Sequence, residues 1–112
     1  MCLIIKSGPH IAKKDILVWK VIFKDNTSLH RNFKYSPNKS FPKVKFTMSR
    51  YESNLIYAGY HSFKSREIAR FNKTYSNLKV VKFYIPKGAK YFIGDDCDIV
   101  SNRIRSGDLK PQ

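Results

Sequence analysis

Carboxylates are the scarcest chemistry in this chain relative to its charge. Only 8 Asp and Glu stand against 22 Lys and Arg over 112 residues, and none of the 8 lies between Asn26 and Tyr51. Glutamate is limited to Glu52 and Glu67, so a paired-carboxylate hydrolase would have to draw on aspartates, and none of these has an evident partner. Cysteine is limited to Cys2 and Cys97, too few for a disulfide framework. In a reducing compartment two separate thiols are expected. His10, His30 and His61 show no His-x-x-x-His spacing, and the cysteines no Cys-x-x-Cys, which argues against a zinc site. The acidic turn Asp95, Asp96 and Asp98 lacks the twelve-residue pattern and closing glutamate of a calcium loop, and reads as a polar hairpin turn. Gly88 and Gly94 are too isolated to cradle a phosphate and fit tight turns. No run approaches the ~18 apolar residues of a membrane span. The short apolar run at the N-terminus precedes its first lysine, the wrong order for a signal peptide. No cofactor, no metal and no membrane span are expected, in one intracellular domain.

What the chain does have is positive charge. The net is +14, and it is uneven: residues 1–90 carry +15, residues 91–112 carry −1. Such a field draws in polyanions and speeds their association. Lysine outnumbers arginine 16 to 6, an excess that A/T-rich coding sequence also produces. The segment 31–51 concentrates the signal, with Arg31, Lys34, Lys39, Lys43, Lys45 and Arg50 interleaved with Phe33, Tyr35, Phe41, Phe46 and Tyr51. Cations neutralise phosphate and rings stack on unpaired bases, so this pattern suits single-stranded nucleic acid. The plain alternative is that the rings are core and the lysines their solvated neighbours.

Strand signals come from β-branched and aromatic runs between turn residues. Leu3 to Ile5 reads as a short strand stopped by Ser7, Gly8 and Pro9. Ile16 to Phe23 is almost continuously apolar, as for a central strand covered on both faces. Lys20 interrupts it, and is expected to bury its stem and extend its amine past the sheet edge. Val44 and Phe46 alternate with Lys43 and Lys45, as in a half-buried strand, and Leu55 to Tyr57 forms another. Ser65 is a helix cap with Glu67 in the first turn. Ile68, Phe71 and Tyr75 share one face at helical spacing, which predicts a helix over 65–75 with Arg66, Arg70 and Lys73 outward. Leu78 to Ile104 is punctuated at Pro86–Gly88 and Gly94–Asp96 into three strands. The sum is an α+β domain over 1–105: a small, mostly antiparallel curved sheet of five to seven short strands with one main helix, and a frayed tail over 106–112.

Taken in order, WKVIF at 19–23, FKYSPNK at 33–39, GYHSF at 59–63, VVKFYIPKGAKYFIG at 80–94 and DIVSNRI at 98–104 resemble small uncharacterised proteins of tailed phages and large DNA viruses. That resemblance implies a viral setting, in host cytoplasm, nucleus or virion, and no known activity. More distantly, a Gly-aromatic-x-Ser-Phe turn entering a helix, then a strand ending in Ile-Pro-Lys-Gly, is similar to the later half of ADP-ribosyltransferase folds. That similarity implies a middle Ser, matched by Ser62 beside His61, and a late Glu, for which the chain offers only Asp98. An aspartate is one methylene shorter and would misplace the carboxylate. A Cys97–histidine nucleophile and base has only composition behind it. The function expected is therefore non-enzymatic binding of nucleic acid through Arg31, Lys34, Lys39, Lys43, Lys45, Arg50, Arg66 and Arg70, with Tyr35 and Phe41 stacking. The alternatives are a virion or host-factor partner with an acidic protein surface, and a degenerate ADP-ribosyltransferase-like enzyme using His61, Ser62 and Asp98.

Overall fold

In the computed structural model, which describes residues 3–29, 33–48, 55–73 and 75–112, the β-branched and aromatic runs become strands wherever both faces can be covered. In chain order these are β1 (Leu3–Ile11), β2 (Ile16–Phe23), β3 (Ser40–Phe41), β4 (Thr47–Met48), β5 (Leu55–Ala58), β6 (Tyr60–Phe63), β7 (Leu78–Ile85), β8 (Lys90–Gly94), β9 (Asp98–Ser101) and β10 (Ile104–Ser106). A single helix, α1 (Arg66–Phe71), lies between β6 and β7. The sheet runs β3-β10-β7-β2-β6-β9-β8-β1-β5-β4, with antiparallel neighbours throughout.

The centre is β2 on β7, in unbroken register from Ile16 opposite Ile85 to Phe23 opposite Leu78. Because side chains alternate along a strand, Val18 and Ile22 point with Val81, Phe83 and Ile85 into one buried cluster. Val21 and the half-buried Trp19 and Phe23 point the other way, with Leu78 and Val80, against Ala69 and Ile68 of α1. The first cluster also takes Ile104 from β10, Ile99 from β9 and Ala89 beside β8. Strands from both halves of the sheet thus converge on it, so the sheet is strongly curved and this is its inner face. Each large side chain buried there contributes about 1.5–3 kcal/mol. A third cluster, Leu3, Ile56, Phe92 and Val100, covers the outer face near β1.

Several expectations are corrected. The domain is mostly β, with ten strands among the described residues rather than five to seven, and α1 has six residues rather than eleven positions over 65–75. Ser65 does cap it, its Oγ accepting from the Ile68 N–H at 3.1 Å. The helix stops at Asn72, so the helical phase is lost before Tyr75. Phe71 and Tyr75, expected on the buried face, are exposed. Strand β1 does not end at Ser7; two register shifts carry it past Pro9 to pair with β8. The strands punctuated from 78–104 do not pair in chain order: β8 and β9 form a hairpin, but β7 pairs with β2 and β10 instead of β8. The tail does not fray. Ser106 and Leu109 are buried, Gly107 N–H donates to Lys82 O at 3.0 Å, and Gln112 N–H to Val80 O at 2.9 Å. Lys79 adds its amine to Leu109 O at 2.8 Å. The tail therefore satisfies polar groups of β7 that would otherwise lack partners.

The β8–β9 hairpin depends on a missing side chain. A Cβ on Gly94 would lie 2.0 Å from Asp98 Oδ1 and 2.8 Å from Leu3 Cγ. Gly94→Ala is expected to destabilise the fold by about 1–3 kcal/mol through overpacking, seen as a lower urea midpoint.

Candidate polyanion interface

Antiparallel topology gathers connections that are remote in sequence. The β1–β2, β7–β8 and β9–β10 turns meet at one end of the molecule, where the curved sheet brings its halves together, and hydrogen bonds lock them to one another. Ala12 N–H donates to Ala89 O at 2.9 Å and Gly88 N–H to Ala12 O at 2.8 Å. Asn102 N–H donates to Lys90 O at 3.0 Å, and Lys90 N–H returns the bond to Asn102 Oδ1 at 3.0 Å. The segment 42–46 crosses the same end, tied by Val44 N–H to Asn102 O at 2.9 Å.

These turns carry Lys13, Lys14, Lys43, Lys45, Lys87, Lys90 and Arg103, all exposed. Among the described residues, one carboxylate shares this end. It is Asp15, whose Oδ1 accepts from the Lys87 N–H at 3.0 Å and whose Oδ2 pairs with Arg105 at 3.2 Å. Arg105 lies over the Tyr84 ring, 4.6 Å from its centroid. Asp25 follows β2, and Asp95, Asp96 and Asp98 lie in the β8–β9 hairpin, at the far ends of those strands. The locked turns form a cationic end whose field adds across them. Elsewhere, among the described residues, only Arg66 also has a carboxylate within reach, Glu67 at 4.0 Å.

The expected binding residues do not form one face. Lys43 and Lys45 join the cationic end. Lys39 lies halfway along, its backbone N–H donating to Ser106 Oγ at 3.1 Å. Lys34 lies past the far end of β2, in the bridge with Thr27. There, hydrogen bonds from Thr27 hold the Asp25 carboxyl below its ordinary range, and the Lys34 charge adds to them. Arg66 and Arg70 are exposed on α1, which packs on the outer face. Arg31 and Arg50 lie outside the described residues. Tyr35 is 5% exposed and meets Phe33, Phe41 and Phe83 edge-on at centroid distances of 5.1, 5.1 and 4.9 Å. Phe41 is half-buried in the same group and 5.4 Å from Phe33. These rings give their faces to the core, so Tyr35 and Phe41 are not a stacking platform.

Register separates the transferase-like set. Ser62 stands opposite Ile99, and His61 opposite Val100. Ile99 belongs to the inner cluster and Val100 to the outer one. Ser62 therefore points inward while His61 and Asp98 point outward, and the three share no cleft. Asp98 is buried, and Oδ1 has no hydrogen-bond partner among the described residues. Burial raises its pKa, and the Asp96 and Asp95 charges push the same way. A carboxyl whose folded pKa lies above its unfolded one loses stability as pH rises through that interval. Asp98→Asn is expected to raise the melting temperature at pH 7 and to leave it unchanged at pH 3, where both forms are neutral; melts at the two values check this.

Lys20 differs from expectation as well. Its amine does not reach past the sheet edge. The β2–β6 pairing consists of Trp19 opposite Phe63, and just beyond it the Lys20 ammonium donates to His61 O. It also lies 5.9 and 5.7 Å from the Tyr35 and Phe83 ring centroids. Burial lowers its pKa to about 8.

The residues that sequence reasoning missed are Lys13, Lys14, Lys87, Lys90 and Arg103. Their shared signal is position, each being in or next to a turn, but which turns meet is a property of strand order. No family model, no curated protein and no solved structure matches this chain.

Proposed function

We propose that this protein is a non-enzymatic binder of polyanions, nucleic acid first, and that its cationic end makes the electrostatic contacts. The observation that carries this reading is the convergence of exposed lysines and an arginine from three separate turns and the 42–46 segment on one end that, among the described residues, has a single carboxylate. Turns locked by hydrogen bonds hold the charges in place, so less side-chain and loop ordering is lost on binding. In this reading the protein works where nucleic acid is, in a host cytoplasm or nucleus or in a virion, the setting that the resemblance to phage and viral proteins implies.

The test is anisotropy with labelled single strands and duplexes of DNA and RNA at about 50 mM salt, repeated to about 200 mM. Contacts to several phosphates should make affinity fall steeply over that range. No binding to any of the four at the lowest salt would reject the reading. An acidic polypeptide that binds as tightly as the oligonucleotides, with the same salt dependence, would replace nucleic acid by an acidic protein surface.

A further inference from the structure

The far end of the molecule carries a feature that charge does not explain. Phe71 is 89% exposed and Tyr75 is 71% exposed, although each could bury on the order of 150–250 Å² of surface. They flank the end of α1, where the Asn72 N–H closes the helix on Ile68 O and Ala69 O at 3.2 and 3.1 Å. Beside Tyr75, between the helix end and the start of β7, is an open cavity of about 440 Å³ lined by Phe23, Leu29, Asn72, Tyr75, Asn77 and Leu78. A smaller cavity of about 80 Å³ shares Leu29 and Asn72 and continues toward Lys20 and His61. The floor is apolar and the rim holds one exposed ring and two amides. Asn72 Nδ2 donates to Ile68 O at 2.8 Å, which leaves its Oδ1 as an acceptor. Exposed cations lie close by in the chain: Arg70 and Lys73 flank Phe71 and Asn72 in sequence, and the Lys24 N–H is bonded to Asn77 O at 2.9 Å.

We infer that this cavity receives an unpaired nucleobase stacked on Tyr75, with Phe71 stacking on a neighbouring base and Lys24, Arg70 and Lys73 holding the flanking phosphates, so that the nucleic acid bound is single-stranded. The inference deepens the polyanion reading and rests on it. An apolar floor suits the faces of a base, amides suit its polar edge, and neighbouring cations suit the phosphate, a combination that an acidic peptide would leave half used. A duplex cannot supply the base without unpairing it, whereas a single strand presents every base for stacking.

The test compares single strands with blunt duplexes of equal length, at one salt concentration, for the unaltered protein and for Phe71→Ala, Tyr75→Ala and Tyr75→Phe. Both rings are exposed, so the variants should melt where the unaltered protein does. Removing either ring should weaken single-strand binding roughly 5- to 150-fold, the range that a stacked base is worth, and leave duplex binding within about twofold. Tyr75→Phe should keep the affinity, since the ring and not the hydroxyl stacks. Alanine variants that bind single strands like the unaltered protein would overturn the inference, as would an equal loss on single strands and duplexes. An unaltered protein that binds duplexes but not single strands would also overturn it while the polyanion reading stood. Binding to neither would remove both together.

Discussion

Replacing Lys13, Lys14, Lys87 and Arg103 together by glutamine should make the log–log salt dependence of nucleic-acid binding shallower by about 3 to 4, and weaken binding at 50 mM salt at least tenfold. Each phosphate neutralised by a lysine or arginine releases counterions worth about 0.9 of slope on a duplex and about 0.7 on a single strand. Four lost contacts therefore set the size of the change. The four side chains are exposed and, among the described residues, none has a carboxylate partner, so their removal costs the fold little. Lys6 and Lys110 are also exposed but lie away from this end, and replacing both by glutamine should change the slope by well under one. Asp15→Asn supplies the opposite sign. Its Oδ1 can still accept from the Lys87 N–H, while Arg105 is released from its ion pair, so affinity should rise. Equal slopes for the fourfold variant and the Lys6/Lys110 control would show that total charge matters and the cationic end does not.

The difference between that set of residues and the stretch 31–51 shows what a sequence can and cannot reveal here. Strand β2 was legible because a run this rich in β-branched and aromatic residues favours a strand, and Ile16–Phe23 pairs with β7 along its whole length, although Leu17 is exposed where both faces were expected to be covered. The β8–β9 hairpin was legible because Gly94 to Asp96 is local turn chemistry. The alternation of Val44 and Phe46 with Lys43 and Lys45 was read correctly as half-buried and exposed, although no ladder forms there. Strand order was not legible, since β10 takes the edge of β7 that a simple meander would have given to β8. Contiguity in sequence made 31–51 look like one surface, yet the chain there travels from one end of the sheet to the other, and Lys34 and Lys45 end up apart. The helix face differs for a related reason. Apolar residues keep helical spacing to Tyr75 in the sequence, but the helix stops at Asn72, and Phe71 and Tyr75 are exposed.

Lys20→Met should flatten the pH dependence of stability between pH 8 and about 10.5. The ammonium is held inside the sheet, and burial lowers its pKa from 10.5 to about 8. The unfolded chain then binds more protons than the folded one between those values, so stability rises with pH across the interval and is fully withheld below it. The difference corresponds to about 3 kcal/mol, taking 1.36 kcal/mol for each pH unit between the two values. At pH 7 the variant escapes that penalty but loses the charged hydrogen bond to His61 O, worth about 1.5–3 kcal/mol. The two nearly cancel, which makes the single-pH comparison a poor test and the profile a good one. Lys79, whose pKa burial also lowers, is present in both chains and drops out of the difference. Urea melts of both proteins from pH 7 to pH 10.5 should therefore diverge by about 3 kcal/mol in favour of the unaltered chain as pH rises. Parallel profiles would mean that the amine is hydrated where β2 and β6 part, and that the small cavity lined by Lys20 and His61 is open to water at its base.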